Sequence, residues 1–181
     1  MAHRKKIFAV TGSTRVQSTN LHLLKAIADL YDNKIELHIF DRLALLPQFN
    51  PDQEADTAVK KFREQLKNAD GVLICTPEYA HGIPGALKNA IDWCVSSNEF
   101  SHKPTALITA STDGSFAHTA LIEVLKTIEA ENIEHLQLLV QFAGTKVNSE
   151  NIITDEKTLV AVKKIMDDFI TTIENILKQV V

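Results

Sequence analysis

The sequence predicts an α/β fold in which a five-stranded parallel sheet, in the strand order 2-1-3-4-5, is covered by helices on both faces. Five short apolar segments alternate strictly with five longer segments of helical periodicity. This alternation is typical of parallel sheets, because a helix forms the crossover between parallel strands. Right-handed crossovers leave few strand orders, and 2-1-3-4-5 is common for five strands. We expect one domain over residues 1–181, since this length suits a single full-sized core.

The first half of the chain alternates three predicted strands with two predicted helices. The strands are apolar runs rich in β-branched or aromatic residues, at positions 6–10, 34–40 and 71–75. The second of them alternates polar and apolar side chains, so we expect it at an edge of the sheet. The first helix begins near Ser18 or Thr19, which can cap it, and the second covers residues 55–68.

The second half alternates in the same way and ends in a long helix. Its predicted helices are residues 84–96, 117–129 and 155–179, and its predicted strands are residues 105–110 and 135–140. Pro84 can open the first of these helices, because its fixed φ suits the first helical position. The last helix has the clearest apolar period. Its inward-facing residues are predicted to be Leu159, Val162, Met166, Phe169 and Ile173.

Charge and hydropathy exclude two classes of partner. The net charge is −4 and the isoelectric point about 6.0, whereas a nucleic-acid-binding domain needs a basic surface. No apolar run approaches the roughly 18 residues of a membrane span. Residues 1–6 are basic, but a short strand and a polar turn follow them instead of the apolar region of a signal peptide. We therefore expect a cytoplasmic protein with no nucleic-acid and no membrane partner.

The spacing of cysteine and histidine residues predicts no metal site. Cys75 and Cys94 are separated by far more than a CxxC motif, and no histidines stand at ligand spacing. Cys75 ends an apolar strand and Cys94 lies on an apolar helix face. We expect both to be buried free thiols, because free cysteine behaves as a small core residue.

Three polar loops follow predicted strands 1, 3 and 4, at residues 11–20, 76–83 and 110–115. In the strand order 2-1-3-4-5 they meet at the carboxyl edge of the sheet, where open α/β sheets bind ligands. The first loop contains neither GxGxxG nor a Walker A motif. It offers hydroxyl and amide side chains, the guanidinium of Arg15 and a helix N-terminus, which together suit a phosphate group. The alternative is an ordinary capped helix beside a surface arginine.

Tyr79 is the aromatic residue of the second loop. Its ring is either a stacking surface for a planar ligand or a hydrophobic cap. A phosphate site, an aromatic loop and a small Ser/Gly-containing loop together fit flavin mononucleotide (FMN) better than free phosphate. The first loop lacks the cysteine nucleophile of a low-molecular-weight phosphatase and the acidic residues of a receiver domain.

Two motifs resemble a known family. The first is GSxRxxSxN at residues 12–20, and the second is TPEY followed by IPGALKNAIDW at residues 76–79 and 83–93. They resemble the NADPH-dependent FMN reductase family of flavodoxin-like azo-, quinone- and chromate-reducing enzymes. Residues 46–52, LPQFNPD, also look like the loop after strand 2 in that family. The resemblance covers roughly residues 6–140.

The resemblance implies a flavodoxin-like three-layer sandwich that binds FMN. It implies that hydride passes from NADPH to flavin N5 and that the electrons go on to a quinone, azo, chromate or free-flavin acceptor. It also implies a homodimer or a dimer of dimers, since members of the family complete their substrate pocket with a second subunit.

The same resemblance assigns FMN-binding positions in this sequence. The phosphate positions are Ser13, Arg15, Ser18, Asn20 and the backbone amide of Thr19. The ring positions are Pro77, Glu78, Tyr79 and Ala80 in the second loop and Ser111 and Gly114 in the third. Many members have asparagine at the position of Ala80, which here offers only backbone groups.

No catalytic side chain is assigned, because hydride transfer to a flavin needs no general acid or base. His81 is the titratable residue of the ring loop that could deliver a proton, or else an exposed histidine without such a role. Asp113 stands in a loop that is usually glycine-rich in the family. We hypothesise that its carboxylate points to solvent.

A second class of function stays open at this point, namely a flavodoxin-like electron carrier or a flavin-binding module without NADPH turnover. Carriers are strongly acidic around the flavin, whereas this chain has a net charge of only −4 and places Arg15 and Lys88 near the site. Oxidation of NADPH by the FMN-loaded protein with a quinone separates the two classes. The sequence does not separate quinone or azo reduction from release of reduced FMN to a partner oxygenase.

Overall fold

One parallel sheet forms the centre of the fold in the computed structural model, which describes residues 4–179. Its strands are Lys5–Thr11 (β1), Ile35–Phe40 (β2), Gly71–Thr76 (β3), Thr105–Ala110 (β4) and Gln137–Val140 (β5). Neighbouring strands follow the order β2-β1-β3-β4-β5, which confirms the predicted fold class. Residues 1–3 of the basic N-terminal segment lie outside the described residues, so the interpretation of that segment stays a prediction.

Five helices connect or follow the strands. They are Thr19–Leu30 (α1), Thr57–Lys67 (α2), Gly85–Asp92 (α3), Ser115–Thr127 (α4) and Glu156–Gln179 (α5). Helix α3 ends four residues earlier than predicted, because residues 93–97 continue in tighter turns. That segment ends at Asn98, whose φ is 60°. Helix α4 begins two residues earlier than predicted, directly after Gly114.

The sheet has a hydrophobic core on each face. Every residue of β3 and β4 is buried, as expected for central strands, whereas β2 is half exposed and lies at an edge, as predicted. Helices α1 and α5 cover one face, and α2, α3 and α4 cover the other. The predicted inward residues of α5 are buried except Leu159, which is partly buried against the same core.

Cys75 and Cys94 are buried free thiols, one in each core, as predicted. Burial raises the pKa of both thiols, so neither is a thiolate at neutral pH. Among residues 4–179, no three His, Cys, Asp or Glu side chains are grouped as metal ligands. Within the same range, no helix combines the length and the apolarity that crossing a bilayer requires.

The ends of β1, β3 and β4 bring three loops together at the carboxyl edge of the sheet. Thr11 pairs with Cys75, and Thr76 pairs with Thr109. Gly12 follows β1 so closely beside β3 that a Cβ atom there would lie 2.0 Å from Oγ1 of Thr76. Only glycine allows this approach. The loops 12–18, 77–84 and 111–114 therefore lie side by side, as the strand order predicts.

Candidate functional site

The N-terminus of α1 has hydrogen-bond donors that no side chain of the helix satisfies. Ser18 is the N-cap residue, but its hydroxyl makes no capping bond, and the first turn contains no acidic residue. The first N–H groups of a helix have no partner within the helix and carry a partial positive charge. The backbone amides of Thr19 and Asn20 belong to this turn. An uncapped terminus beside a polar loop suits an anion.

Arg15 stands free on the loop that leads into α1. Residues 14–17 are exposed, whereas Ser13 and Ser18 on either side are buried. The guanidinium of Arg15 forms no ion pair and no hydrogen bond with any side chain or backbone group of residues 4–179. Its backbone N–H donates to Oγ of Ser13 at 3.3 Å, which fixes the start of the loop. The arginine is therefore available to an anion at the helix terminus.

Asn20 lies beneath the loop, and its side chain connects two strands. Its Nδ2–H donates to the carbonyl oxygen of Ala110 at 3.0 Å, and its Oδ1 accepts from the thiol of Cys75 at 3.3 Å. The side chain is buried and both of its polar atoms already have partners within the chain, so we expect the backbone N–H of Asn20 to be the group that reaches a ligand. The buried hydroxyl of Thr11, the sheet partner of Cys75, makes no hydrogen bond within the described part of the chain.

Glu78 connects the second loop to the third loop and to α4. Its backbone N–H donates to Oγ of Ser111 at 3.2 Å. Its carboxylate Oε2 accepts from the N–H of Ala117, the third residue of α4, at 2.8 Å. Gly114 is the N-cap of that helix and has no side chain to do this. Glu78 therefore caps α4 from another loop, and the sequence alone gave no signal for that partner.

The second loop closes in a two-residue turn from Tyr79 to Gly82, which exchange backbone hydrogen bonds. Tyr79 is 45% exposed, and its hydroxyl shares a hydrogen bond of 3.2 Å with the hydroxyl of Ser13. This bond joins the second loop, residues 77–84, to the first loop, residues 12–18. The backbone N–H of Ala80 donates to no atom among residues 4–179. The turn therefore presents an accessible aromatic ring and a free donor side by side.

The third loop is shaped by Gly114 and fixed by the segment after β5. Gly114 has a φ of 91°, and a Cβ atom there would lie 2.9 Å from Cδ1 of Leu139. Asp113 is exposed, and its carboxylate accepts from Ser115 N–H at 3.4 Å and from Gln141 Nε2 at 3.0 Å. These bonds hold the pKa of Asp113 below its usual value. The exposure agrees with the hypothesis that this carboxylate points to solvent.

His118 forms a half-buried chain of hydrogen bonds beneath this loop, which sequence reasoning missed. Nε2 of Gln137 donates to the carbonyl of Glu134, so its Oε1 accepts from Nε2–H of His118 at 2.9 Å. Nδ1 of His118 then accepts from the hydroxyl of Thr109 at 2.8 Å. Burial lowers the pKa of His118, although the bond to Gln137 opposes this. The neutral imidazole therefore joins β4, α4 and β5.

The second motif fixes the loop after β2 through two residues of α3 and its continuation. Asn89 accepts from Phe49 N–H at 2.7 Å and donates to the carbonyl of Pro47 at 2.9 Å. Nε1–H of Trp93 donates to the same carbonyl at 2.9 Å. The ring of Phe49 packs edge-on against Trp93. These contacts explain why the motif extends so far beyond the ring loop.

The donors and surfaces at this edge fit FMN. The uncapped helix terminus, the buried serine hydroxyls and Arg15 suit its phosphate. The exposed ring of Tyr79 and the free amide of Ala80 suit a planar heterocycle with polar edges. The bond between Ser13 and Tyr79 places both parts next to each other.

Comparisons with known proteins agree with this chemistry. The profile of the family described as NADPH-dependent FMN reductase matches residues 5–145. An NADPH azoreductase of Bacillus sp. (strain OY1-2) is 32% identical over 158 residues, which cover 86% of this chain and 86% of the relative. An NAD(P)H-dependent FMN reductase of Pseudomonas aeruginosa is 31% identical over 161 residues, covering 84% and 86% of the two chains.

A solved structure extends the likeness to the whole fold. FerB, a flavoenzyme NAD(P)H:(acceptor) oxidoreductase from Paracoccus denitrificans, superposes with a TM-score of 0.84 at 28% identity, covering 94% of this chain and 98% of FerB. The resemblance predicted from the two motifs and the flavodoxin-like fold are thereby confirmed. This chain belongs to the NADPH-dependent FMN reductase family and is a flavin-dependent NAD(P)H oxidoreductase.

Proposed function

We propose that residues 1–181 form one FMN-binding domain that passes electrons from NADPH to small planar acceptors at the carboxyl edge of the sheet. The observation that carries the proposal is the uncapped N-terminus of α1, with the free Arg15 on one side and the Tyr79 turn hydrogen-bonded to the same loop. A helix terminus of this kind is a ready site for a phosphate group.

The FMN phosphate binds the backbone N–H groups of Thr19 and Asn20, the hydroxyls of Ser13 and Ser18, and the guanidinium of Arg15. Support for this set comes from the absence of a side-chain cap on α1 and from the exposure of Arg15. A hydrogen bond to a charged group contributes about 1.5–3 kcal/mol. Arg15 is therefore the single side chain whose loss weakens FMN binding most.

The ring binds along Pro77, Glu78, Tyr79 and Ala80, with Ser111 and Gly114 at its edge. Ala80 contributes its free backbone N–H, since it has no polar side chain. Glu78 and Ser111 bond to each other, and the carboxylate of Glu78 bonds to α4, so these two residues position the loop. Tyr79 supplies an exposed ring and connects this loop to Ser13.

Bound FMN supplies the redox chemistry, which is acceptance of a hydride from NAD(P)H and delivery of two electrons to an acceptor. The chain binds the cofactor, orients it and controls access to it. We assign no side chain as general acid or base. His81 is exposed at the turn and is not required for hydride transfer in this scheme.

Quinones and azo compounds are the acceptors that we favour over chromate or free flavin. The supporting relatives are the NADPH azoreductase described above and a 2-hydroxy-1,4-benzoquinone reductase of Burkholderia, which is 28% identical over 91% of this chain and 93% of its own. Both act on planar conjugated molecules. NADPH is the proposed hydride donor. NADH is to be assayed beside it, because the relatives include an NADH-dependent flavin reductase subunit of Lactobacillus johnsonii.

A second copy of the chain completes the acceptor pocket in this proposal, as a homodimer or a dimer of dimers in the cytoplasm. Support comes from the exposed side of α3, where Lys88 and Asp92 form an ion pair between two open grooves. Apolar side chains, among them Val95 and Phe49, line these grooves. Exposed apolar surface of this kind is typical of subunit interfaces. The oligomeric state follows from light scattering of the purified protein.

The decisive experiment is an absorbance spectrum of the FMN-reconstituted protein before and after NADPH addition without air. We expect bound-flavin bands that NADPH bleaches and that a quinone restores. Flavin that stays oxidised with both NADPH and NADH would favour an electron carrier or a flavin-binding module instead.

Substitution of Arg15 tests the proposed phosphate site of FMN. We expect Arg15→Ala to raise the FMN dissociation constant about tenfold to a hundredfold, by loss of a charge-assisted hydrogen bond. Arg15→Lys should have a smaller effect, because lysine keeps the charge without the forked donor geometry. Arg42→Ala is the matched control, since Arg42 is an exposed arginine after β2. Equal FMN affinities for Arg15→Ala and the wild type would contradict the phosphate assignment.

A further inference from the structure

The turn from Tyr79 to Gly82 has a costly backbone conformation. Its two central residues, Ala80 and His81, have φ values of 48° and 56°. Two-residue turns with positive φ at both positions favour Asn-Gly, because a Cβ atom is strained in the left-handed region. Strain of this kind persists where surrounding contacts over-determine it, and it is concentrated at ligand sites. Neighbouring contacts must therefore stabilise this conformation of the turn.

The strained turn lies against the first turn of α4. The imidazole of His81 stacks on the phenyl ring of Phe116, with centroids 4.5 Å apart and planes inclined by 5°. The bond from Ala117 N–H to the carboxylate of Glu78 attaches the same loop to the same helix turn. Both rings of the stack remain accessible to solvent: His81 is exposed, and Phe116 is 52% exposed.

The stacked pair stands beside the proposed ring site. His81 directly follows residues 77–80, and Phe116 directly precedes Ala117, whose N–H donates to the carboxylate of Glu78, so the stack lies next to the ring positions. Glu78, which bonds to Ser111 and to Ala117, fixes the distance between the two loops. A molecule bound over residues 77–80 would therefore meet flat aromatic surface on the side of α4.

We propose that the His81–Phe116 stack, here called the aromatic wall, is a specificity-determining surface on which planar aromatic electron acceptors pack. The proposal rests on the function proposed above, in which the ring of FMN binds along residues 77–80. Aromatic rings attract one another in offset-stacked or edge-to-face arrangements beyond their simple burial. A compact, non-aromatic acceptor such as ferricyanide has no such contact to make, so the wall favours one chemical class over the other.

The test is equilibrium binding of anthraquinone-2-sulfonate to the oxidised, FMN-loaded protein, followed by flavin fluorescence in the absence of NADPH. We expect Phe116→Leu and His81→Asn each to raise the dissociation constant of this probe about threefold to tenfold, the effect of losing one aromatic contact. Asparagine is chosen at position 81 because it tolerates the left-handed backbone. Phe142→Leu is the matched control, since Phe142 is 62% exposed after β5 and also has a positive φ, of 52°, but is not in the stack.

Two further measurements separate the wall from the cofactor site. The FMN dissociation constant and the turnover with ferricyanide should stay within about twofold of the wild type in Phe116→Leu and His81→Asn. An unchanged anthraquinone-2-sulfonate affinity in both variants would overturn the wall while leaving FMN reduction intact. Equal weakening by Phe142→Leu would also overturn it. Failure of the wild type to bind FMN, or of NADPH to reduce it, would remove the proposed function and the role of the wall with it.

Discussion

Replacement of Glu78 tests whether the ring loop depends on α4 for its position. The carboxylate accepts a 2.8 Å hydrogen bond from Ala117 N–H and lies at the N-terminus of α4. Gly114, the N-cap residue, offers no side chain, and the first turn contains no acidic residue. Glu78 therefore supplies both the hydrogen-bond acceptor and the negative charge that this terminus favours.

The magnitude follows from these two contributions. Loss of a capping side chain costs about 0.5–2 kcal/mol, and loss of a charge at a helix N-terminus about 0.3–1 kcal/mol. Because Glu78 is half-buried, we expect Glu78→Ala to lower the free energy of unfolding by about 1.5 kcal/mol. Glu78→Gln keeps an acceptor oxygen and should cost about 0.5 kcal/mol. At about 2–4 °C per kcal/mol, the Tm of Glu78→Ala falls by about 3–6 °C.

The assay is urea and thermal unfolding of the FMN-free protein, followed by circular dichroism, together with an FMN titration. Glu78→Ala should also weaken FMN binding, because the ring loop loses its attachment to α4. Glu123→Ala is the control, since Glu123 is an exposed glutamate later in the same helix. If Glu78→Ala unfolds at the same urea concentration as the wild type, the capping role assigned to Glu78 is wrong.

Two further predictions concern the polar groups beneath the loops. Asn20→Ala should lower the free energy of unfolding by about 2 kcal/mol in urea, because the carbonyl of Ala110 stays buried without its donor; a cost near zero would show that the strand ends do not need this bridge. Burial lowers the pKa of His118, so the unfolded chain binds a proton at this residue more tightly than the folded chain does. The stabilisation that the neutral imidazole contributes to the folded state is therefore complete above about pH 6.5, and it is lost as the pH falls toward the folded-state pKa. His118→Gln should therefore flatten the loss of stability as the pH falls below about 6.5 in urea titrations, and an unchanged pH profile would contradict this reasoning.

Local sequence signals predicted most of the fold because they act within one element. Apolar runs with β-branched residues marked the strands, and the 3.6-residue period marked α5, whose inward residues are buried as expected except the partly buried Leu159. The errors fall at the ends of elements. Helix α2 and strand β5 each begin two residues later than predicted, and the ends of α3 and α4 depend on hydrogen bonds in the last turn and on Gly114. Helix ends are weakly specified by periodicity, since the pattern does not change at the terminus itself.

The sequence by itself determined the strand order, the meeting of three loops at one edge of the sheet and the two motifs that indicate the family. Only the tertiary structure decided what each polar side chain at that edge does. It turned the carboxamide of Asn20 toward Ala110, gave Glu78 a partner in α4 and stacked His81 on Phe116. These contacts join residues 35 to 90 positions apart in the chain. They depend on how the strands stack in space, which no local pattern of residues encodes.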